Sequence, residues 1–159
     1  MNRRTKSAPE RSETSYRTLM TLVSASEALR KAGNRFFERH ELTQSQFNVL
    51  MVLKHDAPSG CSQSELCGRL LVNAADVSGL VRRMLARGLL SRADHPEDPR
   101  AWLVTLSDKG RRLLEQIEPS YYRQVKHAMG LLSPRQARLL SDLLQQVHQG
   151  ILGIQHEAA

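Results

Sequence analysis

The sequence predicts a mainly α fold carrying one small β-hairpin, and three features lead there. Apolar residues recur at helical spacing toward both chain ends, as in Leu19, Leu22, Val23 and later Leu139, Leu140, Leu143. Capping-box spacings, Thr43 to Gln46, Ser62 to Glu65 and Ser133 to Gln136, open helical segments. A single strand-favouring run, Trp102-Leu103-Val104-Thr105-Leu106, follows the stiff charged tip "HPEDPR" at 95–100.

Taken in order, residues 1–14 are polar, carry Pro9 and lack an apolar face, which predicts a disordered basic arm. From Ser15 a long helix gathers Leu19, Leu22, Val23, Leu29, Phe36 and Phe37 on one face. Ala25, Ala28, Ala32 and Gly33 leave room for another helix to approach. Thr43 opens a helix bearing Phe47, Leu50, Met51 and Lys54, and "APSG" at 57–60 breaks it. Ser62 opens a short helix through Leu66 and Leu70. Asn73 caps the next, whose apolar positions are Val77, Leu80, Val81, Met84 and Leu85, and Gly88 ends it. Two short helices, a tight turn and a strand outline a helix-turn-helix. The strands predicted around the tip are Leu89-Leu90 and 102–106. After Ser107 a helix runs on with Pro119 inside it, which predicts a kink or break. Ser133, Pro134 and Gln136 open the last helix, whose band of Leu139, Leu140, Leu143, Leu144, Val147, Ile151 and Ile154 requires a partner. The predicted organisation is an arm at 1–14, a helical dimerisation region at 15–42 and 108–159, and a compact unit at 43–107.

At 159 residues the chain suits one domain, or a small domain with helices completed by a second copy. Its 23 lysines and arginines against 16 acids give a net charge of +7, which favours a polyanionic partner. No stretch approaches the roughly 20 apolar residues of a membrane span, and the N-terminus lacks an apolar signal core, so a soluble cytoplasmic protein is expected. Cys61 and Cys67 have no second pair to complete a zinc site, and the histidines are scattered, so neither a metal nor a cofactor is expected. No nucleophile elbow, phosphate loop or metal-binding helix is present, which argues against an enzyme.

On the helix opened by Asn73, the apolar stripe leaves Asn73, Ala74, Ala75, Asp76, Ser78, Gly79, Arg82 and Arg83 outward. Small and short polar groups come first and arginines one to two turns later, which suits close approach to base edges in a DNA major groove. An ordinary solvated helix face has the same pattern. At the tip, Asp98 stands two residues before Arg100, close enough to orient its guanidinium for a minor groove; a surface salt bridge is the plainer alternative.

The stretch "SQSELCGRLLVNAADVSGLVRRMLARGLLSRADHPEDPRAWLVTLSDKGRRLL" resembles the winged helix-turn-helix core of the MarR family of bacterial transcription regulators. The marks are the Ser-Gly-Leu-Val-Arg-Arg-Met-Leu-x-x-Gly-Leu-Leu run, the Asp-x-Arg at Asp98 and Arg100, and Leu-Ser-Asp-Lys-Gly entering the next helix, with the resemblance spanning about 15–155. It implies a homodimer on a pseudo-palindromic operator in double-stranded DNA, acting as a repressor released by small aromatic or phenolic effectors. It also implies DNA contacts from Ser62, Gln63, Asn73 to Gly79, Arg82 and Arg83, with Asp98 and Arg100 in the wing. Phe36, Phe37, Phe47, Met51 and His55 lie on the segments expected to line an effector crevice, although each also suits a core. Two alternatives stand beside this: a winged-helix protein-interaction module, and a thiol sensor using Cys61 with its pKa lowered at a helix N-terminus. Family members that sense oxidants use a cysteine in the N-terminal helix, and this chain has none there.

Overall fold

The computed structural model describes residues 8–70, 74–95 and 102–157. The chain forms two compact units, Met1–Leu114 and Glu115–Ala159. The first contains α1 (Ala8–Glu38), α2 (Gln44–His55), α3 (Gln63–Leu70), α4 (Ala74–Ala86), the strands β1 (Leu90–Asp94) and β2 (Trp102–Leu106), and the start of α5 (Asp108–Met129).

Helix α1 begins at Ala8, inside the segment expected to be a disordered arm. Pro9 falls in its first turn, where the missing N–H breaks no intrahelical bond and the fixed φ suits the helix. At its other end the Glu41 N–H donates to the Glu38 carbonyl and the Leu42 N–H to that of Phe37. This closure needs a left-handed residue, normally glycine, yet Glu41 fills it at φ 53°, a conformation costing roughly 1–2 kcal/mol. The corner is gripped from outside: Arg87 donates to the Glu41 carbonyl at 2.7 Å and reaches the Gln46 side-chain oxygen at 3.5 Å. Gln46 is buried and completes the predicted capping box, its oxygen accepting the Thr43 N–H while its own N–H donates to the Thr43 hydroxyl.

Helix α4 closes in the same way, here with Gly88 at φ 69°. The Gly88 N–H donates to Leu85 and the Leu89 N–H to Met84, bringing the buried Leu89 and Met84 together. Ser107 ties this turn to α5. Its hydroxyl donates to the Gly88 carbonyl at 2.7 Å and accepts the Gly110 N–H at 2.9 Å, while Lys109 donates to the Arg87 carbonyl at 2.8 Å. A Cβ on Gly110 would overlap the Leu89 carbonyl oxygen, so this crossing admits only glycine.

The strands pair antiparallel from Leu90 opposite Leu106 to Asp94 opposite Trp102. The first strand runs past the predicted Leu89-Leu90 into Ser91-Arg92-Ala93-Asp94, which are exposed or half-buried and mostly polar, so no apolar run marks it. Leu89 instead completes the α4 turn. On the far edge of β2, Cys61 exchanges both backbone hydrogen bonds with Val104, at 3.1 and 2.8 Å. Phe47, Leu50, Leu53, Leu66, Val77, Val81, Met84, Leu89, Val104 and Leu114 are fully buried and form the core of this unit.

The second unit contains the rest of α5 and α6 (Pro134–Glu157). Helix α5 runs unbroken through Pro119, against the break the sequence suggests. Pro119 and Glu115, whose carbonyl loses its donor, are both exposed, and water can satisfy the freed oxygen. Ser133 and Gln136 form the predicted capping box of α6. Leu139, Leu140, Leu143, Leu144, Val147, Ile151 and Ile154 stand exposed along α6, and Leu19, Met20, Val23 and Leu29 along α1.

The same substitution should therefore act with opposite signs at two glycines. Gly110→Ala should lower stability by roughly 1–3 kcal/mol through overpacking against Leu89. Gly68→Ala, in α3 with open space around it, should raise stability by roughly 0.5–1 kcal/mol. Urea unfolding midpoints compare the two directly.

Candidate nucleic-acid interface

Helix α4 is divided cleanly. Val77, Leu80, Val81 and Met84 are at most 6% exposed, whereas Asp76, Ser78, Arg82 and Arg83 face solvent. Gly79 is half-buried, and Leu85, placed on the apolar face by periodicity, is half-buried as well. Ala74 and Ala75 form the first turn; Asn73, Asp98 and Arg100 lie outside the described residues.

A groove runs along each side of α4. On the hairpin side, about 400 Å³ is enclosed by Gln63 of α3, Ser78, Gly79, Val81, Arg82 and Leu85 of α4, and Arg92 and Trp102 of the strands. On the other side, about 440 Å³ lies between Thr43, Ser45 and Asn48 at the start of α2, Leu70, and Asp76, Gly79, Leu80 and Arg83 of α4. The consecutive arginines therefore open into different grooves. Among the described residues, no hydrogen bond or ion pair engages the guanidinium groups of Arg82, Arg83 or Arg92. Arg92 lies over the Trp102 ring, 4.1 Å from its centroid. The sequence pattern alone does not single out Arg92, Trp102, Ser45 or Asn48. The strand pairing that places Arg92 and Trp102 on one face would find the first two, since opposite and diagonal residues share a face.

Ser62 is committed locally. Its N–H and its hydroxyl both donate to the Glu65 carboxylate, at 2.8 and 2.9 Å, and its hydroxyl accepts the Glu65 N–H. These bonds hold the Glu65 carboxyl below the usual carboxylate range. Cys61 behaves oppositely to the thiol-sensor expectation. Burial, and then the nearby Glu65 carboxylate, push its thiol up, with Arg69 opposing them, because the residue is a buried strand partner of Val104. Cys67 is half-buried on α3.

Phe36, Phe37 and Phe47 are buried, and the Phe37 ring meets both others, with centroids 5.1 Å apart for Phe36 and Phe37 and 4.8 Å for Phe37 and Phe47. Met51 is half-buried and His55 exposed. Among the described residues, no trio of histidine, cysteine or acidic side chains gathers as metal ligands would, and no helix is long and apolar enough to cross a membrane.

The MarR family model matches residues 40–101, from the gripped corner through α4 and β1. YdgJ, an HTH-type transcriptional regulator of Bacillus subtilis, is 31% identical over 123 residues, which is 77% of this chain and 74% of YdgJ. The chain belongs to the MarR family of transcriptional regulators. It is also similar to the HTH-type transcriptional repressor NicR of Pseudomonas putida, at 32% identity over 67% of this chain and 66% of NicR. Among solved structures it matches BpsR of Bordetella bronchiseptica, whose DNA binding is regulated by 6-hydroxynicotinic acid, with a TM-score of 0.72 and 28% identity over 81% of this chain and 91% of that one. As a MarR-family regulator it has the winged helix-turn-helix fold predicted from its sequence.

The Glu65 cap sets a pH dependence. A carboxyl held low in the fold contributes stability at neutral pH, above its unfolded value, and that contribution disappears as pH falls through the lower folded value. Glu65→Ala should therefore speed amide hydrogen exchange in α3 at neutral pH, and the difference from wild type should vanish once the carboxylate is protonated.

Proposed function

We propose that the chain is a homodimeric repressor that reads a pseudo-palindromic operator in double-stranded DNA and is released by a small aromatic or phenolic effector. One α4 enters the major groove of each half-site with the hairpin beside it, and Asp98 and Arg100 at its tip serve the adjacent minor groove. The observation that carries this reading is the division of α4, with four apolar side chains in the core and Ser78, Arg82 and Arg83 outward and free of acidic partners among the described residues. A helix held by its apolar stripe presents that polar edge rigidly, as base reading requires.

The second copy is supported by the stripes on α1 and α6, which leave Leu143 48% and Leu144 40% exposed in a single chain. The effector is supported by the kinship with BpsR. Its proposed site is the region of Phe36, Phe37, Phe47, Met51 and His55. Because the three rings are buried, with Phe37 packed against both others, an aromatic entering among them would have to displace them, next to the corner between α1 and α2. The protein is proposed to act in the cytoplasm.

Footprinting on the DNA flanking its own reading frame tests the reading. Two protected half-sites about one helical turn apart are expected, and the protection should fade when an aromatic acid that the protein binds is added. Uniform, sequence-independent protection would contradict operator recognition.

Leu143→Asp and Leu144→Asp should each place a charge in the seam between copies, at a cost of several kcal/mol. Sedimentation at micromolar concentration should then pass from dimer to monomer. A wild-type monomer, or undisturbed dimers of both variants, would contradict the assembly.

A further inference from the structure

We propose that Arg92, midway along β1, binds a DNA phosphate, and that Trp102, in the tip-ward pair of the ladder, is the positioning residue that holds it there. The inference rests on the DNA-binding reading and adds to it an interaction that neither the helix pattern nor the tip motif indicates.

The guanidinium carbon of Arg92 sits 4.1 Å from the Trp102 ring centroid. Arg92 pairs with Val104 and Asp94 with Trp102, so Arg92 and Trp102 are diagonal neighbours on one face of the hairpin. Stacking uses the flat face of the guanidinium and leaves its N–H groups, which lie in the plane, unspent. Among the described residues no acceptor engages them. The ring is half-buried and the arginine exposed, so the ring is the fixed member of the pair and the cation its guest.

The surroundings indicate what the free edge meets. Arg92 and Trp102 share a groove with Gln63, Ser78 and Arg82. Two guanidinium groups without an acceptor among the described residues, Arg82 of α4 and Arg92 of β1, therefore line one groove together with the neutral hydrogen-bonding side chains Ser78 and Gln63. A helix lying in a major groove is flanked by sugar-phosphate backbone, and a cation on the strand beside that helix is placed for the backbone rather than for a base edge. Lysine could not replace Arg92 fully, because an ammonium lacks the planar face that stacks on the ring. The stack also reduces the rotamer freedom the long side chain must give up when it docks.

The test uses full-length protein and two fluorescein-labelled duplexes of equal length, one with the DNA immediately upstream of its own reading frame and one of random sequence. Affinities are measured by anisotropy across a salt series. Arg92→Ala should weaken both duplexes by a similar factor and reduce the log–log salt slope by about one for each phosphate no longer neutralised. Trp102→Leu should weaken binding roughly two- to fivefold, the worth of a partly exposed ring–cation stack, and Trp102→Phe should restore most of that affinity. Thermal unfolding of each variant separates a damaged hairpin from a misplaced arginine. Trp102 is the chain's sole tryptophan, so its emission in the otherwise native protein should also shift when DNA is added. A wild-type protein that binds neither duplex overturns the DNA-binding reading itself. If the wild type binds but Arg92→Ala keeps its slope, the phosphate assignment is wrong. If Trp102→Leu and Trp102→Phe weaken binding equally, Trp102 does not position the arginine.

Discussion

The hydroxyl of Ser107 is the point on which the reading unit depends. By donating to the Gly88 carbonyl and accepting the Gly110 N–H, it joins the end of α4, the foot of the hairpin and the start of α5. Lys109 adds a cation at the Arg87 carbonyl, where the C-terminal end of a helix dipole favours positive charge. The glycines make the joint possible for different reasons: Gly88 supplies a left-handed turn, and Gly110 allows α5 to press against the Leu89 carbonyl. Because the hairpin starts from this joint, its direction relative to α4 is set within the first unit.

A second tie works from the opposite side. Arg87, one residue past α4, holds the carbonyl of the strained Glu41 and touches the buried Gln46. The ring cluster of Phe36, Phe37 and Phe47 lies on either side of that corner, so a rearrangement there that shifted Glu41 or Gln46 would act on Arg87 at the end of α4. This gives the proposed effector response a physical route through a costly backbone conformation held by two helix-closing hydrogen bonds and by Arg87.

Local features are legible in the sequence. The three capping boxes are events between residues three apart, and each forms as its spacing predicts. The α4 stripe and the Gly88 stop are equally readable, because helical period and glycine conformational freedom act over a few residues. Features that depend on distant partners are not. Cys61 reads as a candidate thiol until Val104, far along the chain, claims its backbone and buries it. Arg92 reads as one more basic residue until β2 brings Trp102 under it. The start of α1 resembles a disordered arm because its apolarity is low, whereas a proline-led helix needs no apolar face in its first turns. Pro119 has the look of an interruption to α5, but it meets the solvent side, where one missing hydrogen bond costs little.

The outward edge of α4 is the part of the molecule proposed to meet DNA, with Arg82 and Arg83 lining the grooves on either side of it. The salt dependence of DNA affinity for wild type, Arg82→Ala and Arg83→Ala tests this most directly. An arginine on a phosphate should lower the log–log slope by about one per phosphate when removed. An arginine on a base should instead leave much of the slope and relax preference at one operator position, by roughly 1–3 kcal/mol. Titrations of both variants that overlay the wild type on every sequence would contradict the assignment.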